Sequence, residues 1–438
     1  RNVDYWRSMT LRVEFVSRLS DIITPAIEFL REPADLFEKQ HIVVPTAGVK
    51  AWLMPEIAKK LGTSSPTTSD GVIANVEVDF PGSLTKFMKP QVKGERDPWL
   101  IENLTFHVLD VISADGRYEA VIEQSGGPLI AARAIADRFD RYHVRRPAMI
   151  RLWEQGKATV SPTAHNPNAK QLNTTDMWQF ELWSAVRKRI GHPSPAAREP
   201  ELSSQTPRRL LVIGFQTLSP GQIDALLQLK EHVELRVVLV HPSQAISKKW
   251  GVAVEPTMGL IPERNPTPSL PADVDSLVNS WLLGSKELEY LLASQQIEAL
   301  HTPHSDFASQ DLLGRLQRTV TQQLVATKEP VQSTDRSVAI HRCHNLSRQV
   351  EVLHDALLHA FTDMPDLQPH EVVVLCPNIE AAAPYMESTF ARVLKIDGRN
   401  VKLPLVVADR GIRQVDEGAA LLAGLLDLVQ SRCSLDGV

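Results

Sequence analysis

The sequence predicts an α/β protein built from parallel sheet with flanking helices, interrupted by a large helical insertion. Two observations predict it. Short apolar runs bounded by turn residues alternate with helical periods at the start of the chain, and again at 210–240 and from 337 onward. Between about 97 and 190 the strand signal disappears and one amphipathic period follows another. The length of 438 residues allows about three domains of ordinary size.

Residues 11–16 (LRVEFV) read as a strand and 19–31 as a helix bent near Pro25. Residues 41–45 (HIVVP) read as a second strand and 47–61 as its crossover helix; polar 62–71 leads to a short strand near 72–78. In 128–143, Ile135, Phe139 and Tyr142 share one helical face while Arg133, Asp137, Arg138 and Arg141 occupy the other. Trp178, Leu182, Trp183 and Val186 repeat the pattern. Strands return at 210–215 and 235–240 around a helix at 219–230. Six prolines between 242 and 272 mark a long surface loop, followed by helices near 273–294 and 309–327. Beyond polar 328–336 the expected order is strand 337–343, helix 346–361, strand 371–376, helix 380–394, strand 403–407 and helix 416–430.

The net charge of −5 excludes a global basic field, so any nucleic-acid contact has to be a local patch. The longest apolar run, Gly418 to Leu426, is about half a bilayer span, so no membrane partner is expected. Three cysteines, Cys343, Cys376 and Cys433, form no disulfide framework and fit a reducing, cytoplasmic setting. Met9 reads as a natural start, Arg1 to Ser8 as an upstream extension, and Arg432 to Val438 as the trailing edge of a fragment.

No self-contained active site is legible. A phosphate-cradling loop needs glycines and a lysine, and the turn after the first strand, Ser17 to Asp21, has neither. Pro365-Asp366 with Glu371 lacks the following lysine of a metal-dependent nuclease and reads as a loop entering a strand. His341, Cys343, His344 and His354 invite a zinc reading, but strand alternation would send two of them to opposite faces. What remains is a basic patch of six arginines (133, 138, 141, 145, 146 and 151) against Asp137 and Asp140, interleaved with Tyr142 and His143. Arginine beside aromatic rings suits single-stranded nucleic acid; an equally simple reading is a solvated helix face laced by an Asp137–Arg141 pair.

Read in order, a series of blocks resembles one family, the RecC (gamma) subunits of the RecBCD helicase–nuclease, exodeoxyribonuclease V. The blocks are 42–53 (IVVPTAGVKAWL), Asp79-Phe80-Pro81, 137–147 (DRFDRYHVRRP), 153–156 (WEQG) and 178–183 (WQFELW). They continue through 209–220 (RLLVIGFQTLSP), Ser280-Trp281 with 286–292 (KELEYLL), 341–355 (HRCHNLSRQVEVLHD), 371–385 (EVVVLCPNIEAAAPY) and 408–414 (ADRGIRQ). The resemblance is to the N-terminal part of such subunits. It implies degenerate superfamily 1 helicase-like domains: 9–96 and 206–330 as the first, 97–205 as its helical insertion, and 335–438 as the start of the second.

The resemblance implies a non-catalytic subunit that splits duplex ends, guides the separated strands and reads the hotspot Chi in the 3′ strand. RecB-like and RecD-like partners would then supply ATP and magnesium chemistry, and this chain would hold no cofactor. Asp137, Asp140 and Arg146 match polar members of the family's strand channel; Arg141 falls at a polar position and Arg198 only approximately, with Arg138, Lys50 and Tyr142 as weaker DNA contacts. The opposite wall departs from the pattern, because Pro45, Ala47 and Ala51 stand where Gln and Thr side chains are expected. Those side chains cannot hydrogen-bond base edges, which implies altered or absent Chi recognition. Two other readings stay open: an autonomous helicase or nuclease with active residues beyond Val438, and a purely structural bridge.

Overall fold

A computed structural model describes residues 11–31, 39–65, 68–69, 71–85, 87, 97–162, 168–198, 206–241, 243–250, 281–302, 309–322, 330–396, 399–408 and 416–430. The chain forms two compact units, Arg1–Ser333 and Thr334–Val438.

The larger unit is built on a six-stranded, wholly parallel sheet. Its strands are β1 (Leu11–Val16), β2 (Gln40–Val43), β3 (Val76–Asp79), β4 (Arg209–Phe215), β5 (Glu234–Val240) and β6 (Ala299–His301), in the spatial order β3-β2-β4-β5-β1-β6. Central β4 and β5 are apolar along almost their whole length because helices cover both faces. On one face α1 (Ile23–Arg31) and α2 (Ala47–Leu61) bring Ile27, Phe29, Leu53 and Ile57 onto Ile42, Leu211, Ile213 and Val238. On the other, α8 (Pro220–Leu229) and α10 (Leu283–Ser294) pack Leu226, Leu229, Leu288 and Leu292 onto Val13, Phe15, Val212, Val237 and Leu239. Each such side chain contributes roughly 1.5–3 kcal/mol of burial.

Caps set the helix starts. Thr46 accepts from Val49 N–H at 3.3 Å to begin α2. Ser219 and Gln222 form a reciprocal capping box before Pro220, the first residue of α8.

One charge cluster lies inside the sheet layer. Arg236 on β5 donates to Glu14 on the neighbouring β1 and, at 2.8 Å, to Glu28 on α1. Glu14 and Arg236 side chains are 6% and 8% exposed, so each is a buried charge neutralised by the other.

Between β3 and β4 the chain leaves the sheet for α3 (Ile101–Ser113), α4 (Glu119–Gln124), α5 (Pro128–Arg145), α6 (Pro147–Glu154) and α7 (Met177–Ile190). These helices have their own core, in which Trp99, Trp153 and Trp183 surround Phe139, Leu104, Ile150 and Val186. Two indole N–H groups are satisfied by backbone, Trp99 on His192 O at 3.2 Å and Trp153 on Thr159 O at 2.8 Å. The third, Trp183 Nε1, donates to His143 Nε2 at 3.4 Å. His143 is buried edge-on to Trp99, with ring centroids 5.0 Å apart. That burial, assisted by the charge of Arg198, pushes its pKa down to about 3, so it is packed as a neutral ring.

The smaller unit comprises α12 (Leu346–Asp363), α13 (Ile379–Phe390), a hairpin of β7 (Leu394–Ile396) and β8 (Arg399–Val401), and α14 (Glu417–Gln430); α9 (Gln244–Trp250) and α11 (Leu312–Gln322) belong to the larger unit. Asn345 and Asn378 cap α12 and α13, whose Val350, Ala382, Met386 and Phe390 form a small core with Leu403.

Several sequence expectations need correction. The strands expected at 337–343, 371–376 and 403–407 do not form. Several of their apolar residues are exposed instead, with Ile340, Leu375 and Val406 between 88% and 93% exposed, while Leu403 turns into the small core without joining a ladder. A short apolar run becomes a strand only where a neighbour supplies the other half of its ladder, and here the only ladder is the β7–β8 hairpin among the described residues. The expected loop at 242–272 begins with helix α9, held by Ser243 Oγ capping Ile246 N–H at 3.1 Å; positions 251–280 lie outside the described residues, as do 1–10. The helix expected from 19 opens as a 3-10 turn, Leu19–Ile22, and the strand near 72–78 is the edge strand β3.

Two predictions follow from these buried groups. Arg236→Met leaves the buried Glu14 carboxylate with only the partly exposed Arg12, 3.3 Å away, and should cost up to about 3–5 kcal/mol, whereas Arg236→Met with Glu14→Leu should recover most of the loss. Urea midpoints of the three proteins decide it, and equal midpoints for both variants would refute the pairing argument. For His143, the unfolded ring titrates near 6.5 while the folded ring stays neutral to about 3. The unfolded chain therefore binds the extra proton between those values, and stability falls as pH drops below 6.5. At pH 5 the loss from this residue is about 2 kcal/mol. His143→Asn should flatten that part of the pH dependence, and an unchanged slope between pH 7.5 and 5 would contradict it.

Candidate nucleic-acid interface

In a phosphate-binding α/β fold the turn after β1 would present free backbone N–H groups at a helix start. Here that position is filled from within. Asp21 Oδ2 accepts the Arg18 N–H at 3.0 Å and Asp21 N–H returns to Arg18 O at 3.1 Å, closing the turn around a carboxylate of the chain itself. An anion brought to the Arg18 N–H would meet the Asp21 carboxylate already there.

The neighbouring turns are held close by β4. Gly214, at φ +84°, is the extra residue of a bulge where the β4–β5 register shifts. A Cβ placed on it would fall 3.4 to 3.7 Å from Ile22, Val49 and Leu19, so the β1 and β2 turns converge on the carboxyl end of β4. The residues after β2 are unsuited to reading bases. Ala47 and Ala51 are exposed, Pro45 is half-buried, and the Thr46 hydroxyl is committed to the α2 cap. Lys50 does not reach freely into solvent: its ammonium donates to Val78 O at 3.0 Å and lies 5.9 Å from the Phe80 ring centroid, tying α2 to β3.

The helical insertion meets the sheet layer at α8. A Cβ on Gly221 would fall 2.7 Å from Val144 O, so only glycine allows the end of α5 to approach the start of α8 this closely. Arg151 clamps the same junction, donating to Asp224 on α8 at 2.9 Å and to Ala196 O at 3.2 Å. Its charge is spent on this clamp, unlike those of α5.

Helix α5 carries the basic face. Arg133, Arg138, Arg141, Arg145 and Arg146 are all exposed, because the opposite face buries Ile135, Phe139 and His143. Arg141 pairs with Asp137 at 2.8 Å, the i,i+4 lacing expected of a solvated face. Arg138 and Arg145 make no ion pair among the described residues. Arg146 sits over Tyr142 with its guanidinium 5.8 Å from the ring centroid, and the Tyr142 hydroxyl donates to Gln179 at 2.6 Å. This fixes a cation and an aromatic edge side by side at the carboxyl end of α5. Asp140 is half-buried, and burial, reinforced by the charge of Asp137, raises its pKa against the opposing pull of Arg133 and Arg141.

Arg198 stands apart from this face. Both of its terminal nitrogens bind Asp97 at 2.6 Å, with side chains 16% and 18% exposed, and Nε donates to Pro193 O. Burial raises the Asp97 pKa, but the hydrogen bonds from Arg198 and the Trp99 N–H outweigh it and leave a carboxylate below its ordinary range. The pair closes the base of the helical core. Thus Asp137, Asp140, Arg138, Arg141, Tyr142 and Arg146 come together on one helix end, while Lys50 and Arg198 are occupied elsewhere. Sequence reasoning named the helix face but missed both of those commitments, because each depends on a partner remote in sequence.

The zinc reading of the smaller unit does not assemble. His354 is buried edge-on to Phe390 at 5.0 Å, and His341, Cys343 and His344 form no converging group with it. Among the described residues the three-member group that does converge is His41, Glu77 and Asp79 on β2 and β3. No helix among the described residues is long and apolar enough to cross a membrane.

The chain is 26% identical to the RecBCD enzyme subunit RecC of Mycobacterium tuberculosis over 91% of its length, covering 37% of that protein. It is 26% identical to the subunit of Mycolicibacterium smegmatis over 98% of its length and 25% identical to that of Escherichia coli over 96%, covering 40% and 41% of them. It therefore spans about two fifths of the length of these relatives. The family profile described as RecC, N-terminal domain matches residues 11–323, which takes in the whole six-stranded sheet and the helical insertion. On that match the chain belongs to the RecC family.

Proposed function

We propose that this chain acts as the RecC-type subunit of a cytoplasmic RecBCD-like helicase–nuclease that processes double-strand DNA ends for recombinational repair. In this role it splits the duplex and passes the separated strands along its surface without hydrolysing ATP or cutting DNA. Chemistry would reside in RecB-like and RecD-like partners, which use ATP and magnesium; this chain needs no nucleotide. The observation that carries the reading is the exposed arginine face of α5, ending in the Arg146–Tyr142 stack. Guanidinium groups contact phosphates, and an adjacent ring offers a base a surface to stack on.

The Asp21 carboxylate in the β1 turn supports the absence of a motor in the larger unit, because it occupies the place where a triphosphate would need free N–H groups. The exposed but apolar Ala47 and Ala51 support strand passage over base reading on the loop after β2. Chi recognition, where retained, would rest on the α5 side, on Asp137, Asp140 and Arg146.

The experiment is unwinding of a blunt-ended duplex by the RecB-like partner, with and without the full-length form of this chain. Greater processivity, together with no ATPase from this chain alone, is the expected result. Stable co-purification without any gain would favour the structural bridge, and ATPase from this chain alone would favour an autonomous motor. For the interface, Arg138→Ala, Arg145→Ala and Arg146→Ala combined should weaken single-strand binding and lower the slope of log K against log salt by about 2, at about 0.7 per lost phosphate contact. An unaltered slope would remove α5 from the DNA path.

A further inference from the structure

We infer that His41, Glu77 and Asp79 form a binding site for a divalent transition-metal ion that pins edge strand β3 to β2. The parallel register sets His41 opposite Glu77 and Val43 opposite Asp79. With a side-chain period of two, His41, Glu77 and Asp79 therefore project from the same face of the sheet. One donor atom from each lies within 4.8 Å of the others. Four-coordinate zinc bound at about 2.0–2.2 Å holds its ligands roughly 3.3 Å apart, so modest side-chain rotation of the two carboxylates would complete the set.

The chemistry of the donors selects the ion. One imidazole and two carboxylates suit zinc or manganese and offer too few oxygens for calcium. Three protein ligands leave a position for water. The histidine is prepared for such a role. Its Nδ1 is shielded from solvent and has no hydrogen-bond partner, and its ring is held edge-on to Phe87 with centroids 5.7 Å apart. A buried ring nitrogen without a partner carries a desolvation cost that hydrogen bonding or metal ligation would relieve. One competing contact is weak: Lys39 pairs with Glu77 at 3.3 Å, but the two side chains are 65% and 45% exposed, and such pairs contribute little, while an ion would have to displace the existing interactions of Asp79.

The location gives the ion something to do. Strand β3 is four residues long, lies at the sheet edge, and leads directly into Phe80 and Pro81. Its hold on the sheet includes the short β2 ladder, the burial of Val78 in the sheet core, the Lys39–Glu77 pair and Lys50 reaching Val78 O. The inference is independent of any DNA function.

The test is titration of Zn2+, and separately Mn2+, into the metal-free full chain against a chromophoric chelator, with hydrogen exchange of the β3 amides as a second readout. One equivalent of Zn2+ should bind more tightly than Mn2+ and slow exchange at Val76 to Asp79. His41→Ala and Asp79→Asn should each lower zinc affinity at least tenfold, and Glu77→Gln, at the exposed rim, should lower it without altering the fold. The combination His341→Ala, Cys343→Ser and His344→Ala should leave uptake unchanged. The inference is overturned if neither ion binds at micromolar free metal. It is equally overturned if the His41, Glu77 and Asp79 variants bind as the parent does, or if only the triple variant loses uptake.

Discussion

The larger unit depends on two long-range strand pairings, β1 with β5 and β2 with β4, which join its first residues to a segment beyond the helical insertion. Parallel strands cannot be linked by a tight turn, so each pairing has to be reached by a crossover. Here β2 and β4 are separated in sequence by β3 and the six α-helices α2 to α7 yet are hydrogen-bonded neighbours. Closure therefore has to be favoured by the paired strands themselves. Leu210, Leu211, Val212 and Ile213 are all 0% exposed, and Glu14 finds Arg236 across the β1–β5 seam. Because Glu14 is costly to bury without that partner, the ion pair also penalises other registers of β1 against β5.

The helical insertion is free to carry function because it does not depend on the sheet for its core. The indole N–H groups of Trp99, Trp153 and Trp183 are met by backbone or by His143 Nε2, and Arg187 binds Glu154 at 2.8 Å while Glu154 also accepts Ser194 N–H at 2.7 Å. Contact with the sheet layer narrows to α8, where Gly221 admits α5 and Asp224 receives Arg151. The consequence is a helix whose inner face is fixed by packing and whose outer face has little structural duty. Arginines on that outer face are available to a ligand in a way that Arg198 and Arg151, consumed by ion pairs, are not. Exposure together with lack of a partner separates a binding cation from a structural one better than position in the sequence does.

Much of this architecture is written in local pattern. The continuous apolar runs at 210–215 and 235–240 announce strands covered on both faces, and the 3.6-residue period of 128–143 announces the face that α5 buries. What stays hidden is whatever needs a second, distant segment. The apolar runs at 337–343, 371–376 and 403–407 resemble strands locally, but strandness is a property of a pair and no described neighbour completes them. Lys50 reads as a free cation until β3 brings the Val78 carbonyl beneath it. His41 and Asp79 share no motif spacing, and only the β2–β3 register makes them neighbours on one face. Proline content marked 242–272 as loop, yet the local cap at Ser243 suffices to start a helix before most of those prolines are reached.

The β1 turn shows how an α/β frame can close a crossover turn with an acceptor of its own. A glycine-rich loop leaves backbone N–H groups without protein partners, a cost that a bound anion offsets. Ser17, Arg18, Leu19 and Ser20 lack the backbone freedom that such a cradle requires. Asp21 supplies an acceptor for the Arg18 N–H from within the chain. Crossover turns built in this way can be packed tightly around Gly214. The frame then serves to fix the position of the exposed end of α5, through α8, relative to the carboxyl ends of the strands.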